Sequence, residues 1–212
     1  MKIAFLCESP ADEAAIAVLV EGILGHPFSH ANVPNYRAPG CTAIPRVLPL
    51  VLRSLYFGSD VDALVVVLDS NSETIHSESP NPSRRCDPDC RLCELRAIAA
   101  KERSRLTLRP ERSPIRCAFG LAVPAIEAWL LSFRKSGMTE VNWITARKEK
   151  RPDPFSREQL KRLAYGTTRI SLESESAKMK EYMTEIVTDL ERFRTAFPGG
   201  FGPLYDEVRI WK

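Results

Sequence analysis

The sequence predicts an α/β protein: a parallel sheet flanked by helices, with a cysteine-rich insertion and a helical C-terminal appendix. Three observations carry this. Over the first 135 residues, short apolar runs alternate with helix-length stretches, as strands joined by helical crossovers do. Ala63 to Leu68 is continuously apolar and Val-rich, the look of a strand covered on both faces. Beyond that point the strand signal fades and helical spacing takes over. The expected organisation is a sheet domain over 1–135, a cysteine-rich loop inserted at about 70–95, and a helical extension over 136–212 packed on it.

Lys2 to Cys7 is short, apolar and ends in a polar turn, so it reads as a buried strand. Asp12 is placed to cap a helix from Glu13 to about Leu24, which Gly25 stops. His30 to Arg37 reads as a short strand before the Pro39-Gly40 turn. A helix follows from about Pro45 to Tyr56, its proline tolerated in the first turn. After the strand Ala63 to Leu68, residues Ser70 to Asp89 are rich in Ser, Pro and Asn and long enough for a functional loop. Leu92 to Leu106 reads as helix, Ile115 to Val123 as the last central strand, and Ala125 to Phe133 as a short helix behind Pro124. Ser156 caps a helix to about Tyr165. Ser176 to Phe197 reads as one long amphipathic helix, with Met179, Met183, Ile186, Leu190 and Phe193 on a core-facing stripe.

Composition narrows the classes. A hydrophobic fraction of 44% can supply a real core. No run approaches the roughly 18 apolar residues of a membrane span, and Met1-Lys2-Ile3 leads straight into a strand-like segment without the features of a signal peptide. A cytoplasmic protein is expected, and its six cysteines are then not a disulfide framework. The net charge of +3 is uneven. Arg84 to Arg116 holds ten Lys/Arg against five Asp/Glu, and Phe133 to Arg169 holds ten against four, so the remainder is acidic. Two basic segments around an acidic centre fit a nucleic-acid substrate. The competing reading is a pair of solvated, charge-rich helices and loops.

The acidic centre is a set of carboxylates at separated strand ends. Glu8 follows the first strand, Asp69 closes Ala63 to Leu68, and Glu127 lies just past the strand ending at Val123. Open α/β sheets bind ligands where their strands emerge, and converging carboxylates hold a divalent ion such as Mg²⁺. Glu13 and Glu73 stand five and four residues beyond Glu8 and Asp69 and are candidates for the same crevice. Taken singly, each has a plainer role: Glu8 as a turn residue, Asp69 as a cap, Glu127 as a first-turn charge that the helix dipole favours.

These residues carry a resemblance. Glu8-Ser9-Pro10-Ala11-Asp12-Glu13 resembles the Glu-Gly-x-Thr-Asp/Glu-Glu opening of TOPRIM domains in the OLD (overcoming lysogenization defect) nuclease group. Val65-Val66-Val67-Leu68-Asp69-Ser70-Asn71 resembles the strand that ends in the TOPRIM Asp-x-Asp motif. Pro124-Ala125-Ile126-Glu127-Ala128-Trp129-Leu130-Leu131 is similar to a Pro-x-x-(Ile/Met)-Glu-x-Trp-Leu-Leu segment of small stand-alone TOPRIM-like proteins, some found in bacterial antiphage operons. The resemblance spans about residues 1 to 135 and implies a TOPRIM-like fold with Glu8, Asp69 and Glu127 catalytic. It implies Mg²⁺ or Mn²⁺ on Glu8, Glu13, Asp69, Asn71, Glu73 and Glu127, and in-line attack of water on a phosphodiester. It further implies a defence effector gated by a separate ATPase partner, since no P-loop is present. Ser9 stands where the family has Gly, and Asn71 where it has the second Asp. The second departure keeps a non-cleaving adaptor, binding nucleic acid or the ATPase, as the alternative.

A second motif stands apart. Cys86-x₃-Cys90-x₂-Cys93 has the spacing of zinc thiolates on a turn entering a helix. His76 is the nearest candidate for the fourth ligand, with Cys41, Cys117, His26 and His30 distant in sequence. Surface thiols and a redox sensor beside Arg85 and Arg91 are the competing readings. Cys7 and Cys117, in strand-like runs, read as small buried hydrophobes.

Overall fold

The computed structural model describes residues 1–33, 43–71, 75–76, 89–106, 110–151 and 155–212. The expected ligands Glu73 and Cys86 lie outside the described residues, as do Cys41 and the stretch 34–37 of the second expected strand. The chain is α/β with a four-stranded, all-parallel sheet. The strands are β1 (Lys2–Leu6), β2 (Ser29–Ala31), β3 (Ala63–Asp69) and β4 (Arg116–Ala122), in the spatial order β2-β1-β3-β4. Strand β1 feeds β2 on one side, and the chain then crosses to β3 on the other. The strand order therefore reverses between β1 and β3, the position where such sheets open a crevice at the strands' carboxyl ends.

Alternation along the strands builds two cores. Ile3, Phe5, Ala63, Val65 and Val67 face one side, and Ala4, Leu6, Leu64, Val66 and Leu68 face the other. The second side is covered by α2 (Ile44–Gly58) and α3 (Arg91–Arg105). The first side is covered by α1 (Pro10–Leu24), the short α4 (Ile126–Leu131) and the C-terminal helices: α5 (Glu140–Lys148), α6 (Arg157–Tyr165), α7 (Leu172–Val187), α8 (Leu190–Ala196) and α9 (Phe201–Arg209). No described helix is long and apolar enough to cross a membrane.

Local chemistry explains where the elements differ from expectation. Helix α1 begins at Pro10, earlier than expected, because Ser9 rather than Asp12 is the N-cap. The Ser9 hydroxyl accepts from Asp12 N, and the Asp12 carboxylate accepts from Ser9 N, a reciprocal capping box. The expected long C-terminal helix is two. Asp189 accepts from the backbone N of Arg192, so it caps a new helix and breaks the first at Thr188. The core stripe nonetheless runs through both pieces: Met179, Met183, Ile186 and Phe193 are buried. Helices α5 and α9 were not expected.

The C-terminal segment also closes the open edge of β4. Leu121 N donates to Gly200 O at 3.1 Å, and Phe119 N donates to the Glu207 carboxylate at 2.7 Å. An unpaired edge is a template for wrong strand pairing. Trp129, from the Glu127-Ala128-Trp129 motif, is fully buried among Phe193, Phe197 and Phe201. Its role is to bolt α4 to the C-terminal helices, which fixes Glu127 two residues earlier.

Candidate metal centre

Glu8 and Asp69 meet at the sheet's switch point. Asp69 N donates to Glu8 Oε1 at 3.2 Å, so the turn after β1 is tied to the end of β3. Asp69 stands level with Ala122 in the β3–β4 register, and its Oδ1 accepts from Ile126 N at 2.9 Å, at the start of α4. The next residue, Glu127, is buried. Three chain segments thus deliver Glu8, Asp69 and Glu127 to one end of the sheet. Two cations face them from α6. Arg157 Nη2 lies 4.0 Å from Asp69 Oδ2, and Lys161 Nζ lies 3.8 Å from Glu127 Oε1 and 4.0 Å from Glu175 Oε1.

The electrostatics show how crowded this negative charge is. Burial pushes the Asp69 carboxyl well above its ordinary range, and the Glu8, Glu127 and Asp12 carboxylates push further, against the Ile126 N–H. Burial also raises Glu127, opposed by its backbone hydrogen bond and by Lys161 and Arg157. Asp12 is pushed up to about 7 by burial, with Glu127 and Glu8 adding to it and Ser9 opposing. Behind them the Tyr165 hydroxyl is buried without a hydrogen-bond partner. Burial, then the charges of Glu127, Glu175, Asp12 and Asp69, raise its pKa. A buried hydroxyl normally has a partner. This orphan, beside carboxylates that repel one another, fits a site completed by a hydrated cation.

The expected ligands are not equally placed. Glu8, Asp69 and Glu127 come to the same end of the sheet, but their carboxylate oxygens do not all lie within 4.8 Å of one another, as the ligand atoms of His76, Cys90 and Cys93 do. Asn71 lies two residues beyond Asp69 in the left-handed region (φ 50°), its N–H donating to Pro124 O at 2.8 Å, and it lines a neighbouring cleft. Glu13 bears on Cys7, whereas its neighbour Asp12 is the first-turn carboxylate that presses on Asp69. Asp12, Arg157, Lys161 and Tyr165 are the residues that sequence reasoning did not assign here.

A second cluster lies farther along the chain from Asp69. Among the described residues, His76, Cys90 and Cys93 form the group whose potential ligand atoms all lie within 4.8 Å of one another. His76 Nδ1 is 3.6 Å from Cys90 Sγ and 3.4 Å from Cys93 Sγ. Cys90 is the fully buried N-cap residue of α3 and Cys93 sits in its first turn, so the two-residue spacing turns both sulfurs toward His76. The cluster can bind a metal ion. His76 in turn packs on the C-terminal turn: a Cβ on Gly199 would clash with His76 O, and the Glu140 carboxylate accepts from Gly199 N and Gly200 N. Only glycine fits there.

The chain matches no protein-family model, no curated protein and no solved structure.

Proposed function

We propose that this chain is a metal-dependent nuclease, acting on phosphodiester bonds of DNA or RNA through the carboxylates Glu8, Asp69 and Glu127. The observation that carries the reading is their delivery by three chain segments to the switch point of a parallel sheet, with the Tyr165 hydroxyl, buried and without a partner, among the groups that Asp69 and Glu127 act on. All-oxygen donors suit Mg²⁺ or Mn²⁺, and Mg²⁺ keeps several waters and needs only one or two carboxylates. Such an ion would activate water and offset charge on the phosphate. The rest belongs to the chain's own side chains. Asp69 is held in position by the Ile126 N–H. Arg157 and Lys161, on the rim, take the non-bridging phosphate oxygens. Tyr165, whose buried hydroxyl has no partner, is free to offer its hydrogen bond to water held at the site. The ordered motif trio supports a TOPRIM-like fold and, with it, the role of an antiphage effector gated by an ATPase partner.

One observation favours a second reading, a non-cleaving adaptor for nucleic acid or that ATPase. Arg157 and Lys161 already stand near Asp69 and Glu127, as cations that can replace a metal. Cleavage assays on DNA and RNA with Mg²⁺ or Mn²⁺ decide between them, comparing wild type with Glu8→Ala and Asp69→Ala. Metal-dependent cleavage lost in both variants supports the nuclease. No cleavage, together with no Mg²⁺ binding by calorimetry, sinks it in favour of the adaptor.

The ion proposed for the second cluster is zinc, in a structural role. Tetrahedral zinc with Zn–S near 2.3 Å and Zn–N near 2.0 Å sets sulfur and nitrogen about 3.5 Å apart. The two nitrogen–sulfur separations, 3.6 and 3.4 Å, straddle that value. Cys86, the remaining thiol of the motif, is the expected further ligand. Elemental analysis of the purified protein, with Cys90→Ser as control, tests the assignment.

A further inference from the structure

Beside the carboxylate crevice runs a cleft of about 390 Å³, lined by Asn71, Trp143, Arg147, Lys150, Arg151 and Phe155, that no step of the proposed reaction uses. We infer that it is the binding track for a single strand of nucleic acid, holding the backbone on its cationic wall and leading it to the carboxylates. The inference rests on the nuclease reading for its substrate class and adds where, and in what form, that substrate is held.

Three observations carry it. First, the wall is cationic and exposed. Arg147, Lys148, Lys150 and Arg151 stand against the single carboxylate of Glu149, which pairs with Arg151. The last turn of α5 and the residues after it therefore present positive charge, as a phosphate backbone requires. Second, the floor is aromatic. Trp143 and Phe155 are buried beneath the cleft with only their edges in its lining, and the plane the cleft presents outward is the exposed Arg147 guanidinium, which lies 5.4 Å from the Trp143 ring centroid. A basic groove with a planar guanidinium backed by an aromatic ring can hold unpaired strands, because every base offers a face to stack. A second cavity of about 450 Å³ shares Trp143 and Arg147 and continues past Ile75 and Lys148, which lengthens the track along α5. Third, two of the segments that line the cleft continue directly into the carboxylate crevice. Asn71 lines it two residues from Asp69, and Ser156, which also lines it, caps α6 one residue before Arg157. Cations therefore run on from the cleft to Arg157 beside Asp69 and Lys161 beside Glu127.

The test is fluorescence anisotropy with labelled single strands of ~12 nucleotides, DNA and RNA, and with the matching duplex, in buffer without added divalent ions. Lys150→Glu/Arg151→Glu is compared with Lys101→Glu/Arg105→Glu, an equal charge change on exposed positions of α3, a helix that covers the other face of the sheet. The cleft pair is expected to weaken single-strand binding by about tenfold and to make its salt dependence shallower by about 1.4, since each single-strand phosphate contact contributes about 0.7 to the slope. The α3 pair is expected to change binding by less than about twofold on the same electrostatic argument. Equal losses in both pairs, no single-strand binding, or tighter binding of the duplex would each overturn the inference. Because no metal is added, the outcome is separable from catalysis. Binding lost in the cleft pair of a protein that never cleaves leaves the track standing and removes the nuclease reading. Cleavage by a cleft pair with unchanged binding does the reverse.

Discussion

The carboxylate crevice and the histidine–thiol cluster both follow from the end of β3, yet they are built in opposite ways. Sheet geometry assembles the crevice: Glu8 follows β1, Asp69 closes β3, and Glu127 sits on a helix bolted to the core by Trp129. Its side chains are held in place although charge is crowded there: burial and the Glu8, Glu127 and Asp12 carboxylates raise Asp69, and burial raises Glu127. The cluster draws His76 from between strand and helix onto the first turn of α3, where its ring meets two thiols, one of them part of the core. A metal at the crevice would relieve strain that the fold imposes, whereas a metal at the cluster would create order. The contrast predicts that removing ligands should affect folding at the cluster and chemistry at the crevice.

The largest effect is expected at the cluster. Cys90→Ser or His76→Ala should abolish bound zinc and lower Tm by about 10 °C, because structural zinc contributes folding free energy directly and 1 kcal/mol moves Tm by about 2–4 °C at this size. Calorimetry with parallel metal analysis checks it, and an unchanged Tm in a zinc-free variant would erase the contrast. Next comes Asp69→Asn. If the nuclease reading holds, cleavage should fall by about 10²–10³, the usual scale for losing one electrostatic partner of the transition state. Its Tm without divalent ions should hold or rise, since a repelled charge is gone. A destabilised Asp69→Asn would mean that the crevice is structural. Third is Gly199→Ala, whose methyl would meet His76 O and the Glu140 carboxylate. We expect a loss of about 1–3 kcal/mol, in the overpacking range, and lower zinc occupancy. A stability loss without zinc loss would uncouple the C-terminal turn from the cluster.

What was legible in the sequence divides along the same line. Strand β3 and Asp69 could be read because a both-faces-buried strand is a continuous apolar run, so the first charge after it marks an emerging end. The cysteine pair could be read because ligand spacing on a helix start is local, and His76 followed as the nearest histidine. Asp12 was hidden because its capping role with Ser9 accounts for it fully, and only the fold shows that the same carboxylate presses on Asp69. Arg157, Lys161 and Tyr165 were hidden because α6 has the surface-charge pattern of a solvated helix, and nothing local says that it faces strand ends ~90 residues earlier in the chain. The break before α8 escaped because the core stripe stays in phase across Asp189. Helix α9 had a signal that went unused: Leu204 and Val208 four residues apart, with Pro203 in the first turn.

The smallest expected effect tests the crevice's stored repulsion most directly. A carboxyl whose folded pKa is raised binds its proton more tightly in the native state than in the unfolded chain. Its contribution to stability is therefore greatest in acid and declines as pH rises from the ordinary carboxylate value, about 4, to the folded value. For Asp12 that window closes at about pH 7, and Asp69, raised by the same burial and neighbours, extends the decline. The protein without divalent ions should lose a few degrees of Tm between about pH 5 and pH 8, and Asp69→Asn should flatten the curve over the same window. A divalent ion competes with those protons, so saturating Mg²⁺ should raise Tm more at the alkaline end than at the acid end. Scans across that range, with and without Mg²⁺, supply the measurement. A wild-type Tm that rises with pH, or an Mg²⁺ increment independent of pH, would show that Asp69 and Glu127 are neutralised by Arg157 and Lys161 alone. The crevice would then be a finished ion-pair network, and the adaptor reading would follow.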